Sequence, residues 1–160
     1  MSVLTIRFIN EPGIVSRLID WETNSLFCHT EGLSGDGQSW IGAHAGTGVE
    51  ARPLDWCVPT FERRYAVPVT DNQYERAMQF MENWKGRPYN YADIIGLALH
   101  NRKGASEHEI ICSAFMLLWL QAAGLWPLNA LEYYAYLITP ETLHLSPIFI
   151  GKCIFKHQEA

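Results

Sequence analysis

Charge is scarce in this chain. Asp, Glu, Lys and Arg make up 18% of its 160 residues, below the quarter or so usual for a globular domain. With 48% hydrophobic residues beside that shortage, a disordered, self-repelling chain is excluded. Basic residues are outnumbered 12 to 17, for a formal net charge of −5. No basic stripe offsets this, so neither nucleic acid nor an anionic membrane is expected as a partner. Long apolar runs are missing too. A membrane-spanning helix needs about 20 such residues, and the nearest stretch, 110–127, is broken by Ser113, Gln121 and Gly124. No integral membrane segment is expected. Residues 1–9 carry neither a basic leader nor a small-residue cleavage site, which predicts a cytoplasmic protein. Cys28, Cys57, Cys112 and Cys153 show no CxxC spacing, so free thiols are expected rather than disulfides or a zinc site. There is no repeat, low-complexity tract or linker, and the length suits one domain over 1–160.

What is present divides by period. Val3–Ile9, Ser25–Leu33, Gln38–Ala43, Val49–Leu54 and Arg64–Val69 read as strands, with Ser34-Gly35-Asp36-Gly37 as a hairpin turn and Gly46-Thr47-Gly48 as another. A short helix is predicted over Ile14–Trp21. After Asp71, taken as an N-cap, Asn72–Trp84 takes the helical period, and Lys85-Gly86-Arg87-Pro88 stops it. Further helices are predicted over Tyr91–Leu99 and Cys112–Ala123, with Gly124 as C-cap and Asn101–His108 as a polar loop between them. Thr139-Pro140-Glu141 opens one more helix, and Pro147–Phe155 is the last strand. Strands first and helices later predict an α+β domain.

The residue with most chemical promise is Cys112. It stands where a short β-branched run, Ile110-Ile111, gives way to a helical one. A thiol at a helix N-terminus meets unpaired N–H groups and a positive dipole, which favour its thiolate. The bland alternative is a core cysteine acting as a small hydrophobe. His29 lies far upstream on a predicted strand. Alternation puts Phe27, His29 and Glu31 on one face and Cys28 and Thr30 on the other. A cysteine and a histidine distant in sequence that meet in the fold are the minimum for a nucleophile with its base. Such a base needs an orienting partner, and two are open: Glu31, on the same strand face, and His44, just past the hairpin's return strand. Ser113 and Tyr89-Asn90-Tyr91 are candidate substrate-binding residues, against plain packing and capping roles. His100, His108, His144 and His157 are expected at the surface, and Cys57 and Cys153 in packing.

Taken in order, several segments resemble the permuted NlpC-type branch of the papain-like cysteine hydrolases, the group with the YiiX/YaeF-like proteins. They are Phe27-Cys28-His29-Thr30-Glu31, then Ile41-Gly42-Ala43-His44-Ala45-Gly46-Thr47-Gly48-Val49, Arg52-Pro53-Leu54, Gly86-Arg87-Pro88-Tyr89-Asn90-Tyr91, Ile111-Cys112-Ser113 and Thr139-Pro140-Glu141-Thr142-Leu143. The histidine precedes the cysteine, which is the permuted order. The resemblance implies a permuted papain-like fold, a small antiparallel sheet or barrel packed on the helix that carries the nucleophile. It implies Cys112 as nucleophile and His29 as base. The family's third polar residue usually comes from the strand after the histidine. Ser39-Trp40-Ile41-Gly42-Ala43-His44 offers no carboxylate there, so Glu31 and His44 both stay open.

Together these readings predict a cysteine hydrolase that cleaves an amide bond, peptide bonds of the peptidoglycan type included, or an ester through an acyl-enzyme. No metal and no organic cofactor is called for. The partner would be a small-molecule, peptide or lipid substrate, and a phage-encoded origin fits as well as a bacterial one. Two rivals stand beside it: an acyltransferase on the same scaffold, and a non-catalytic binding or phage-structural protein.

Overall fold

The computed structural model describes residues 1–10, 25–90, 111–128, 135 and 138–158. Its order is β1 (Ser2–Asn10), β2 (His29–Leu33), β3 (Ser39–His44), β4 (Gly48–Pro53), β5 (Phe61–Val69), α1 (Asp71–Trp84), α2 (Cys112–Ala122), α3 (Pro140–His144), a 3-10 turn at Pro147–Phe149, and β6 (Cys153–Gln158). The fold is α+β. The strands form one six-stranded sheet in the order β4-β3-β2-β1-β5-β6, every pair antiparallel. The helices expected over 14–21 and 91–99 and the loop over 101–108 lie outside the described residues, as does Tyr91.

Local chemistry explains most boundaries. The β2–β3 hairpin closes because Asp36 Oδ1 accepts hydrogen bonds from the Ser34 hydroxyl at 2.5 Å and the Gln38 amide at 3.0 Å. The cap of α1 is Thr70 rather than Asp71: Gln73 N–H donates to Thr70 Oγ1 and Thr70 N–H donates back to Gln73 Oε1. This reciprocal box satisfies two orphan donors, while Asp71, one step inside, accepts from the Ser2 hydroxyl instead. The last strand starts at Cys153, later than expected, because Pro147 is better placed at the head of the 3-10 turn. Gly124 does end α2, with φ +75°. The bonds Gly124 N–H to Gln121 O and Leu125 N–H to Leu120 O close the terminus.

Residues paired across antiparallel strands share a face, so the register sorts the sheet. Leu4, Ile6 and Phe8, with Tyr65, Val67 and Ile41, form the apolar face. On it lies α2, buried from Cys112 to Leu120. A helix apolar on every side belongs in a core rather than at a surface. α1 covers α2 through Ala77 and Met81, and the Trp119 indole N–H donates to Ala77 O at 3.0 Å. The other face carries Arg7, Ile9, His29, Glu31, Trp40, Gly42, His44 and Glu62. This is the polar face, and the segment after β4, with Trp56, folds against it. Gly86 and Arg87 pair with Val49 along the β4 edge, so the sheet does not end bare there.

Candidate functional site

The site assembles where α2 begins and β2 begins. Ile111, the N-cap of α2, has no side-chain acceptor for the amides that follow. The first helical bond is Phe115 N–H to Ile111 O, so the N–H groups of residues 112–114 have no partner within the helix. The other two helices are capped by Thr70 and Thr139. The Cys112 sulfur lies 3.9 Å from Cys28 O and is close enough to the His29 imidazole to interact with it. Residues separated by 83 positions are thus brought into contact by the packing of α2 against β2.

On its far side His29 Nε2 is 3.4 Å from Glu31 Oε1, and His44 Nε2 is 3.2 Å from the same oxygen. The two imidazoles face each other with centroids 4.8 Å apart. Room for this comes from Gly42, where a Cβ would stand 2.9 Å from Glu31 Cγ and 3.5 Å from His29 Nε2. Glu31 Oε2 turns the other way, to the Arg7 guanidinium at 2.5 Å and the Trp56 indole N–H at 3.4 Å. Arg7 in turn stacks over Trp40 at 4.5 Å and approaches Glu62 at 3.7 Å. Apart from the half-buried Trp56, all of this is buried; Glu31 is 0% exposed.

Charge follows from these contacts. Burial would lift the Glu31 carboxyl, but the closeness of the His29 and His44 nitrogens and the charges of His29 and Arg7 outweigh it and hold the group ionised, far below the usual carboxylate range. Burial likewise works against a charged His29. Interaction with Cys112, followed by that with the Glu31 carboxylate, overrides it and raises His29 to about 10. His44 goes the opposite way, to about 4, because burial and the neighbouring His29 charge exceed the pull of Glu31. One carboxylate therefore serves two unlike imidazoles, one charged and one neutral.

The candidate residues fare differently. Cys112, His29, Glu31 and His44 come together. Of the two alternatives for the partner of His29, Glu31 approaches it directly, and His44 approaches the same Glu31 oxygen. Phe27 does not share a face with His29: β2 begins only at His29, so Phe27 turns into the apolar core against Phe8, 5.8 Å between centroids. The Ser113 hydroxyl donates to Ile138 O within the core and ties α2 to the start of α3. Tyr89 is buried. His144, expected at the surface, is enclosed instead. Its Nε2 is 2.7 Å from the Tyr65 hydroxyl, and its ring packs on Phe27 and Phe8. Arg7 and Trp56 were not among the candidates. Arg7 left one signal, a lone charge inside the apolar run Leu4–Ile9, whereas Trp56 left none.

No family model and no curated protein matches this sequence. A solved structure does share its architecture. The metalloprotein yiiX from Escherichia coli O157:H7 superposes with a TM-score of 0.68 at 16% identity, over 97% of each chain. The fold is yiiX-like. At that identity the likeness concerns the fold, and it extends through the whole chain rather than one motif. Among the described residues no helix is long and apolar enough to cross a membrane.

Proposed function

We propose that this protein is a cysteine hydrolase of the permuted papain-like, NlpC-type kind, with Cys112 as nucleophile, His29 as base and Glu31 as the group that orients the base. One observation carries the reading. The sulfur at an uncapped helix start lies against an imidazole whose other side faces a buried carboxylate. With Nε2 turned to Glu31, Nδ1 is the nitrogen left for the sulfur.

The chemistry follows from that order. In the resting pair His29 already carries the proton, and the Cys112 sulfur attacks the carbonyl carbon of an amide or ester as the thiolate. The carbonyl electron pair moves to oxygen, where amides at the start of α2 donate hydrogen bonds. Collapse breaks the bond to the leaving group, which takes its proton from His29. Water then gives a proton to His29 and attacks the thioester, releasing the acid and restoring the resting pair. Both Cys112 and His29 are buried, so substrate reaches the sulfur only when neighbouring side chains move aside. The yiiX-like fold also includes a protein described as a metalloprotein. His29, Glu31 and His44 have the donor types to hold a divalent ion here, which when bound would supply positive charge beside the base.

Labelling with a small alkylator between pH 5 and 8, read separately at each cysteine, tests the reading on metal-free protein. Cys112 should react ahead of Cys28, Cys57 and Cys153, and the preference should vanish in His29→Ala. Equal reactivity of all four thiols, or an unchanged Cys112 in His29→Ala, would overturn it. Thioester turnover with and without an added amine separates hydrolysis from acyl transfer.

A further inference from the structure

The buried polar atoms without a hydrogen-bond partner on the sheet's polar face include three that lie together: His29 Nε2, Glu31 Oε1 and His44 Nε2. They point at one another, all within 4.8 Å. Leaving a buried donor or acceptor unsatisfied is costly, so three in one place call for an occupant. The two separations from Glu31 Oε1, 3.4 and 3.2 Å, say which kind. A water hydrogen-bonded to all three would sit about 2.8 Å from each and spread tetrahedral neighbours to about 4.6 Å. A metal held at about 2.0–2.1 Å brings neighbouring ligand atoms to about 3.3 Å. The two separations from Glu31 Oε1 match the metal spacing.

The geometry points to a divalent transition-metal site with His29 Nε2, Glu31 Oε1 and His44 Nε2 as its protein ligands. Two imidazoles and one carboxylate suit zinc and its neighbours rather than magnesium or calcium, which prefer all-oxygen shells. The surroundings are those of a held ligand set. Glu31 Oε2 is fixed by Arg7 and Trp56, and ligating carboxylates are commonly anchored this way. Gly42 keeps the space beside Glu31 and His29 clear. Cys112 approaches His29 without belonging to the set. The site goes beyond the thiol reading: it shares two side chains with it and needs neither its nucleophile nor its reaction.

The test uses the full chain, stripped with a chelator and dialysed against Zn²⁺ or Co²⁺ alone. Wild type and Cys112→Ser should each take up one ion per chain. The cobalt form should show the visible bands of a low-coordinate N/O site, and added zinc should raise the melting temperature. In His44→Asn, checked by circular dichroism, uptake should drop to background and the melting shift should disappear. Should that variant fail to fold, X-ray absorption on the zinc-loaded wild type replaces it, with two imidazoles and no sulfur expected around the ion. Lack of stoichiometric uptake, uptake unchanged in His44→Asn, loss of uptake in Cys112→Ser, or sulfur in the shell would each overturn the assignment. Because uptake is read in Cys112→Ser and alkylation in metal-free protein, failure of one reading leaves the other standing.

Discussion

β1 builds two different environments from alternate residues. Leu4, Ile6 and Phe8 enter an apolar layer against α2, while Arg7, between them, enters a charged layer with Glu31, Glu62, His29 and His44. Both layers are dry, and there the similarity ends. The apolar face is held by many interchangeable contacts, so it tolerates change in proportion to the volume removed. The polar face is held by a few specific pairings whose charges are stranded when one member goes. A fold can place a reactive cluster inside itself because the same pleat that hides apolar residues on one side presents the alternate ones to the other.

The sharpest way to separate the two faces is by activity. His29→Gln keeps a side chain of polar character but removes the base, and acylation of Cys112 by an activated thioester should fall about 10²–10⁴-fold. A core change such as Ile6→Val should leave that rate alone. Stability gives the next contrast, between immediate neighbours. Arg7→Met should cost about 3–5 kcal/mol in urea denaturation, because Glu31 keeps its charge in a dry site without its guanidinium partner. Ile6→Val should cost about 0.5–1.5 kcal/mol. Equal losses for the pair would show that Glu31 is not held as a charged group.

These two faces were not equally legible in the sequence. The apolar one follows from period alone: alternation in Leu4, Ile6, Phe8 and the all-apolar helix after Cys112 need no knowledge of partners. The hairpin at Ser34–Gly37 and the glycine after α2 were legible for the same reason, since their chemistry is local. The polar face depends on register, which is set across the sheet. Nothing near Arg7 says that it faces Glu31, 24 residues on. Glu31 and His44 are not exclusive as neighbours of His29: the Glu31 oxygen that faces His29 also faces His44, and only the register across β2 and β3 brings the three together. The misplaced Phe27 and His144 have the same origin. Alternation was extended past the point where β2 begins, and a histidine in a short helix was read without the aromatic residues that close over it.

Two glycines on opposite faces refine the comparison further. At Gly42 an added Cβ meets Glu31 Cγ at 2.9 Å, a rigidly paired side chain. At Gly32 it meets Met81 Cε, the far end of a flexible chain, and the Trp119 ring at 3.1 Å. Gly42→Ala should therefore push Glu31 off His29 and slow Cys112 alkylation several-fold. Its stability cost should be about 1–3 kcal/mol, as for other overpacked sites. Gly32→Ala should cost about 1 kcal/mol, the low end of that range, with alkylation unchanged. Parallel loss of alkylation in both would mean that the faces are mechanically one unit.

The smallest expected effect belongs to a histidine on the apolar side. His144 is held below its ordinary value chiefly by burial, with the Arg63 charge adding to it and Glu141 opposing. Its ring is neutral in the folded state, bound to the Tyr65 hydroxyl and packed on Phe8 and Phe27. The unfolded chain, with an ordinary imidazole near 6.5, binds more protons than the folded one once pH drops below that value. The contribution is therefore full above about pH 6.5 and declines as pH falls towards the folded-state value. Urea midpoints at pH 8 and pH 5 would measure it. His44 and His29 also titrate, so the informative quantity is a double difference: the pH 8 to pH 5 loss in wild type minus that in His144→Asn. A positive remainder fits a neutral, buried His144. A remainder of zero would mean that the Tyr65 contact survives protonation, and that this side of the sheet tolerates a charge as readily as the other.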